Sequence, residues 1–458
     1  MHQISLTYFG FGLESLRNSP KQLISLEQFK NESNSNLAEV GGEMAHKWTV
    51  MVYMAGDNDL DSNGISDLRE MKRVGSNQDV AIIAQFDRAG NARHTKRYYV
   101  RNYDISPSIK SDEVADLGET NTGSAKELTE FIKWGMEKFT AEYYLVIIWA
   151  HGTGAYDENI YYADARTLRP NLKRHGVFLS SMGPSSERLG IDFNKVDVIG
   201  KDDEKVYTLI APDDESKDFL DNVELKRALK AVGKDIDILG MDACLMSMAE
   251  VCYQVRETVK ITVASEAQED VEGWPYELFL SRLVNNPDMK PAELAKTIVE
   301  QFIVLYSDVE NAATGLTACE LSRVDTLAEA VDSLAARMLE DIGDDDVLDT
   351  LMLSRFRAWS DELVQSVDLY DFCQLLRRRS NQDEIRKACK QVMDVITDPK
   401  FVLKNMTLGN AMKYSNGVGI YFPVKYVSPL YKRLDFVGPD ATRWGTFIKQ
   451  YVEAAARS

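Results

Sequence analysis

The chain has 458 residues and carries 53 basic against 72 acidic side chains, a net charge of −19 with histidine neutral. Its 44% hydrophobic and 27% charged residues exclude a disordered chain, and the length predicts two or three domains at about 150 residues each. So acidic a protein argues against nucleic acid and anionic membranes as partners, since neither gains from meeting a net anion.

Residues 1–46 read as an N-terminal extension, with a linker-like KNESNS at 30–35 and a Gly41-Gly42 pair. No h-region is visible in the first thirty residues, so no signal peptide is predicted and the default compartment is the cytoplasm. No apolar run approaches the roughly 18 residues that span a bilayer. A strand pattern begins at WTVMVYMAG (48–56), followed by DVAIIAQFD (79–87) and the more polar KRYYVRNYD (96–104). SAKELTEFIKWGMEKF (124–139) has helical spacing with Ser124 as N-cap, and YYLVIIWA (143–150) is apolar on both faces, as a central parallel strand is. Residues 156–206 lack periodicity and read as an insertion loop.

Beyond that loop, NVELKRALKAVG (222–233) predicts a helix, DILGMD (237–242) a strand, LMSMAEVCYQV (245–255) a helix and VKITVASEA (259–267) a strand. Alternating strands and helices indicate βαβ units and a doubly wound α/β sheet over 47–325. From 326 to 458 the pattern is mainly helical, with a strand returning at 414–424 and a last helix over about 442–456. These added elements predict a self-sufficient monomer.

In an open α/β sheet, chemistry gathers where strands end in loops at their carboxyl edge. Two ends stand out: IIWAHGTG, where His151 follows the strand, and ILGMDACLM, where Cys244 lies between strand and helix. The five cysteines (Cys244, Cys252, Cys319, Cys373 and Cys389) are spread without a C-x-x-C pair, which argues against a disulfide scaffold and a zinc site. A thiol at a helix N-terminus is expected to have a lowered pKa, and an imidazole can stabilise the thiolate and protonate a leaving amine. Backbone N–H groups of Gly152 and Cys244 are the candidate oxyanion donors. Taken singly, His151 reads equally as a core or capping residue and Cys244 as an inert thiol; together, beside glycines at strand ends, they favour a dyad.

WTVMVYMAGDNDLD (48–61), YYLVIIWAHGTG (143–154), LIAPDDESKDFLDNVELKRAL (209–229), DILGMDACLMSMAEV (237–251), ASEAQEDVEGWPY (264–276) and NGVGIYFP (416–423) resemble, in that order, the clostripain family of cysteine peptidases. The resemblance implies a caspase-like α/β fold with a mixed, mostly parallel sheet flanked by helices, a Cys244–His151 dyad and cleavage after arginine or lysine through a thioester. It places Asp242 in the pocket for the basic side chain, although by position alone Asp242 reads equally as an N-cap. It also puts Ser265, Glu266, Gly273, Trp274 and Tyr276 near the substrate cleft, and Glu269 or Asp270 could deepen the negative field there. Trp274 reads better as a packing residue than as a contact. This segment lacks a proline that many relatives carry before Gly-Trp.

Relatives are often activated by a cut after a basic residue between the histidine and cysteine blocks. Here Lys173 and Arg174 are the best candidates among Arg166, Lys173, Arg174, Arg188, Lys195 and Lys201. Family members are often secreted, which competes with the cytoplasmic default. No organic cofactor is indicated. Calcium is an alternative for the acidic run Asp213, Asp214, Glu215 and Asp218, but the D-x-D-x-D-G pattern is missing. Asp57, Asn58, Asp59 and Asp61 read as a turn and helix cap, with a metal or substrate role as the minority view. Two other functions compete with peptidase: a silent scaffold of the same fold, and a thiol acyltransferase or transpeptidase.

Overall fold

The computed structural model describes residues 45–90, 94–157, 208–361, 365–438 and 441–457. Its strands, in chain order, are β1 (His46–Gly56), β2 (Val80–Arg88), β3 (Lys96–Tyr99), β4 (Glu113–Asp116), β5 (Ala141–Trp149), β6 (Gly152–Asp157) and β7 (Thr208–Asp213). They continue with β8 (Asp218–Leu220), β9 (Ile236–Asp242), β10 (Val259–Ala264), β11 (Thr314–Glu320), β12 (Ser366–Asp368), β13 (Val402–Leu408) and β14 (Gly419–Tyr421). The helices are α1 (Asp61–Val74), α2 (Ala125–Lys138), α3 (Asn222–Val232), α4 (Ala249–Val255), α5 (Tyr276–Asn285) and α6 (Pro291–Tyr306). After them come α7 (Val324–Glu340), α8 (Asp345–Arg357), α9 (Leu369–Arg379), α10 (Asp383–Ile396) and α11 (Trp444–Ala455).

Nine strands form one sheet in the order β13-β11-β10-β9-β5-β1-β2-β3-β4. The five central strands are parallel, and antiparallel pairs extend the sheet at both edges. Strands buried on both faces need long apolar runs, and Val50–Ala55 of β1, Val80–Ala84 of β2, Leu145–Trp149 of β5 and Ile238–Met241 of β9 supply them. Alternate residues of β1 feed opposite cores. Met51 and Tyr53 pack toward α2, α3 and the C-terminal helices, while Val50, Val52 and Met54 pack toward α1, α5 and α6. Helix boundaries follow local chemistry. In α3, Asp221 and Glu224 form a reciprocal capping box, and Gly233 ends the helix at φ 77°.

Three expectations change. The helix foreseen over 245–255 starts only at Ala249, because Leu245 takes a left-handed φ of 65° and Met248 forms a bridge to Gly419. The strand foreseen over 414–424 is confined to Gly419–Tyr421 and pairs with β12 outside the main sheet. Unforeseen, β13 lies beside β11 and ends the nine-stranded sheet, so the segment after 326 contributes to that sheet. The N-terminal extension and most of the 156–206 loop, including Lys173 and Arg174, lie outside the described residues.

The C-terminal helices are held by an aromatic cluster centred on Phe422. Its ring lies 4.8 Å from Tyr451, 5.2 Å from Phe372, 5.3 Å from Trp444 and 5.5 Å from Phe447. Phe422 is fully buried. Phe422→Ala is therefore expected to cost about 3–5 kcal/mol, read as a lower urea midpoint at unchanged slope; a loss below about 1 kcal/mol would contradict this packing.

Candidate active site

Strand register brings the two marked residues together. β5 and β9 are adjacent and parallel, with Trp149 opposite Asp242, so His151 and Cys244 leave neighbouring strands at the same edge and height. Ala150 N–H donates to Asp242 O at 3.1 Å, which ties the two loops at their roots. Gly152 packs directly on the cysteine backbone: a Cβ there would lie 2.6 Å from Cys244 O and 3.0 Å from Ala243 Cβ. Glycine is thus required for the approach that places both candidate oxyanion donors in one corner.

The thiol does not sit at a helix N-terminus, since α4 begins at Ala249. Its surroundings act in the opposite sense to the expected dipole. Glu269 N–H donates to Sγ at 3.3 Å, but burial pushes the Cys244 thiol up to about 12, and the nearby Glu269 charge adds to the rise. A thiol so raised is held in its protonated form at neutral pH.

Two buried acids, Asp242 and Glu269, lie close to it. Asp242 accepts from Tyr276 Oη–H at 2.9 Å and from Trp274 N–H at 3.3 Å, and it does not cap α4, whose N-cap is Met248. Glu269 sets its carboxyl against Asp242, and both oxygens of Glu269 are buried. Burial raises both acids above the ordinary carboxylate range, and their proximity raises Glu269 further. Deeper still, Asp67 on α1 accepts from Trp149 Nε1–H at 2.6 Å and is pushed up to about 9 by burial and then by Asp242. Among the described residues no lysine or arginine pairs with Asp242 or Glu269. Gly273, at φ 59°, carries the pocket loop past Asp242, whose Oδ1 would lie 3.0 Å from a Cβ.

Other residues marked from the sequence have different settings. Trp274 is fully buried against Gly240 and 6.4 Å from Phe279, which makes it a core residue. Ser265 is fully buried and shapes a turn: its Oγ accepts from Ala267 N–H at 3.0 Å, and its carbonyl accepts from Ser247 N–H at 2.8 Å. Glu266 serves the C-terminal segment, accepting from Ser415 Oγ–H at 2.7 Å and Gly417 N–H at 3.0 Å beside buried Asp368. Glu269, three residues on, is the acid that meets Asp242.

Two features of the β1 exit went beyond the turn-and-cap reading. Asp59 Oδ1 lies 2.8 Å from His151 Nε2. Asp57, Glu119 and Asp213 each bring one carboxylate oxygen within 4.8 Å of the others, the one such group among the described residues. Hydrogen bonds from Glu215 N–H to Asp57 (2.7 Å) and from Ser216 and Thr122 N–H to Asp213 (2.7 and 2.9 Å) account for its shape. No helix among the described residues is long and apolar enough to cross a membrane.

Comparison with known proteins identifies the family and the fold. The model of the clostripain family matches residues 52–168 and 184–451. Clostripain of Hathewaya histolytica is 21% identical over 463 aligned positions, covering 89% of this chain and 79% of the relative. An inactive zymogen C11 protease from Parabacteroides distasonis shares the fold at TM-score 0.58 and 18% identity, over 86% of this chain and 98% of its own. A secreted C11 cysteine protease from Bacteroides thetaiotaomicron, bound to an irreversible peptide inhibitor, does so at TM-score 0.56 and 19% identity, over 86% and 98%. With a thiol and an imidazole on adjacent strand ends and the family match running through both, the chain belongs to the clostripain family and is a cysteine endopeptidase.

Proposed function

We propose that the enzyme cleaves peptide bonds after arginine or lysine, with Cys244 as nucleophile and His151 as its acid–base partner. The observation that carries this specificity is the enclosed Asp242–Glu269 pair beside the thiol, which has no basic partner among the described residues. A guanidinium or ammonium entering there supplies the missing counter-charge and lets the pair ionise. The Cys244 thiolate attacks the carbonyl carbon, Gly152 and Cys244 N–H groups hold the oxyanion, and His151 passes its proton to the departing amine. Water then attacks the thioester, releasing the new carboxylate and restoring the thiol.

The resting form is latent, in keeping with a thiol held near 12 and with an inactive zymogen among the similar structures. Activation follows a cut after Lys173 or Arg174. Incubated wild type should yield two fragments by intact mass alongside turnover of Arg/Lys fluorogenic peptides. A Lys173→Ala/Arg174→Ala double variant should stay whole and cleave at least tenfold more slowly. An uncut wild type with full arginyl activity would remove the activation step, and turnover of neutral peptides alone would remove the specificity.

A further inference from the structure

We infer that Asp59 is a positioning residue for His151 and that it makes Nδ1 the reacting nitrogen, an inference that rests on the dyad proposed above. The sheet order β9-β5-β1 sets up the arrangement. Cys244 leaves β9, His151 leaves β5, and Asp59 leaves β1, where Met54 pairs with Trp149 as Trp149 in turn pairs with Asp242. Thiol, imidazole and carboxylate therefore stand on three consecutive strand ends with the imidazole in the middle.

The 2.8 Å contact between Asp59 Oδ1 and His151 Nε2 selects a tautomer. A carboxylate only accepts, so Nε2 carries the proton it shares, and Nδ1 keeps its lone pair. The opposite tautomer would set a lone pair against an anion. With Nε2 committed to the β1 side, Nδ1 is the nitrogen left to take a proton from Cys244 and return it to the leaving amine.

The carboxylate is held on a firm support. Asn58 Nδ2 donates to Ala55 O and to Pro212 O, each at 2.9 Å, and Leu60 N–H donates to Asn58 Oδ1 at 3.0 Å. On the other side, Asp214 N–H donates to Asp57 O at 2.8 Å. Residues 57 and 58 are thus tied to the β7 end and Leu60 to Asn58, and the loop between them aims Asp59 at the ring. Because the Asp59 side chain is 59% exposed and that of His151 33%, orientation outweighs electrostatic strengthening, and the expected effect is modest.

Activated wild type, Asp59→Ala, Asp59→Asn and His151→Ala are compared on one arginyl substrate. Asp59→Ala should lower kcat about tenfold with KM within twofold, and Asp59→Asn, whose amide oxygen still accepts from Nε2–H, should recover most of the loss. Nitrogen-15 spectra of the five histidines should show His151 as the Nε2–H form in wild type and as a tautomer mixture in Asp59→Ala. Wild-type kcat and an unchanged His151 signal in Asp59→Ala, with His151→Ala inactive, would overturn the positioning role alone. Full activity of His151→Ala would instead overturn the dyad and this inference with it.

Discussion

Alanine in place of Cys244 is expected to lower kcat on arginyl and lysyl peptides by about 10⁵-fold, because the proposed thioester needs a thiol and the other four cysteines are buried. The substitution removes one half-buried sulfur whose single close donor is Glu269 N–H, so the fold should persist and thermal unfolding should move little. Thiol reactivity gives an independent reading of the same group. A thiol raised by burial is protonated at neutral pH, and below its pKa the thiolate fraction grows tenfold per pH unit. Alkylation of Cys244 in the uncut chain should therefore be slow at pH 7 and climb about tenfold per unit toward pH 10. Residual activity above a thousandth of wild type in Cys244→Ala would remove Cys244 as nucleophile.

Asp242→Asn is the second large effect. An amide still accepts from Tyr276 Oη–H and Trp274 N–H, so the pocket keeps its shape and loses its charge. We expect kcat/KM for Arg and Lys peptides to fall on the order of 10³-fold, since a desolvated cation then meets a neutral partner. Stability should move the other way. An acid raised in the folded state supports folding fully below its unfolded pKa and loses that contribution as pH rises toward the folded value. Asp242, Glu269 and Asp67 are all raised, so wild type carries a penalty that grows from about pH 4 toward the value near 9 of Asp67. Asp242→Asn should thus melt higher than wild type at pH 8 and no higher at pH 4. Equal Arg/Lys kinetics in the variant would discard the pocket assignment.

Much of this was legible in the residues, and the boundary has physical causes. The central strands announced themselves because burial on both faces demands unbroken apolar runs, and those runs end at His151 and Cys244. β13 escaped because it is half-buried throughout, and VLKNMTL carries no clean alternation. The helix start was misplaced because nothing in LMSM betrays that Leu245 turns left-handed or that Met248 bridges a segment 171 residues away. Choosing among Glu266, Glu269 and Asp270 required the turn itself, since three residues in a non-periodic loop decide which acid meets Asp242. The Asp59–His151 contact joins positions 92 apart, and only the neighbouring of β1 and β5 makes it visible.

The sheet order has one more consequence, for covalent connectivity. The stretch 158–207 joins β6 to β7, and these two strands pair antiparallel. A break anywhere along it divides the chain between β5 and β9, which lie side by side in the middle of the sheet with Leu145–Trp149 laddered to Ile238–Asp242. The scission would run through the hydrophobic centre of one folding unit, not between separable bodies. Both halves would hold each other by the same ladder that sets His151 beside Cys244, so neither could leave without unfolding the other. A nicked molecule of this topology is a heterodimer by bond count and a single fold by cohesion.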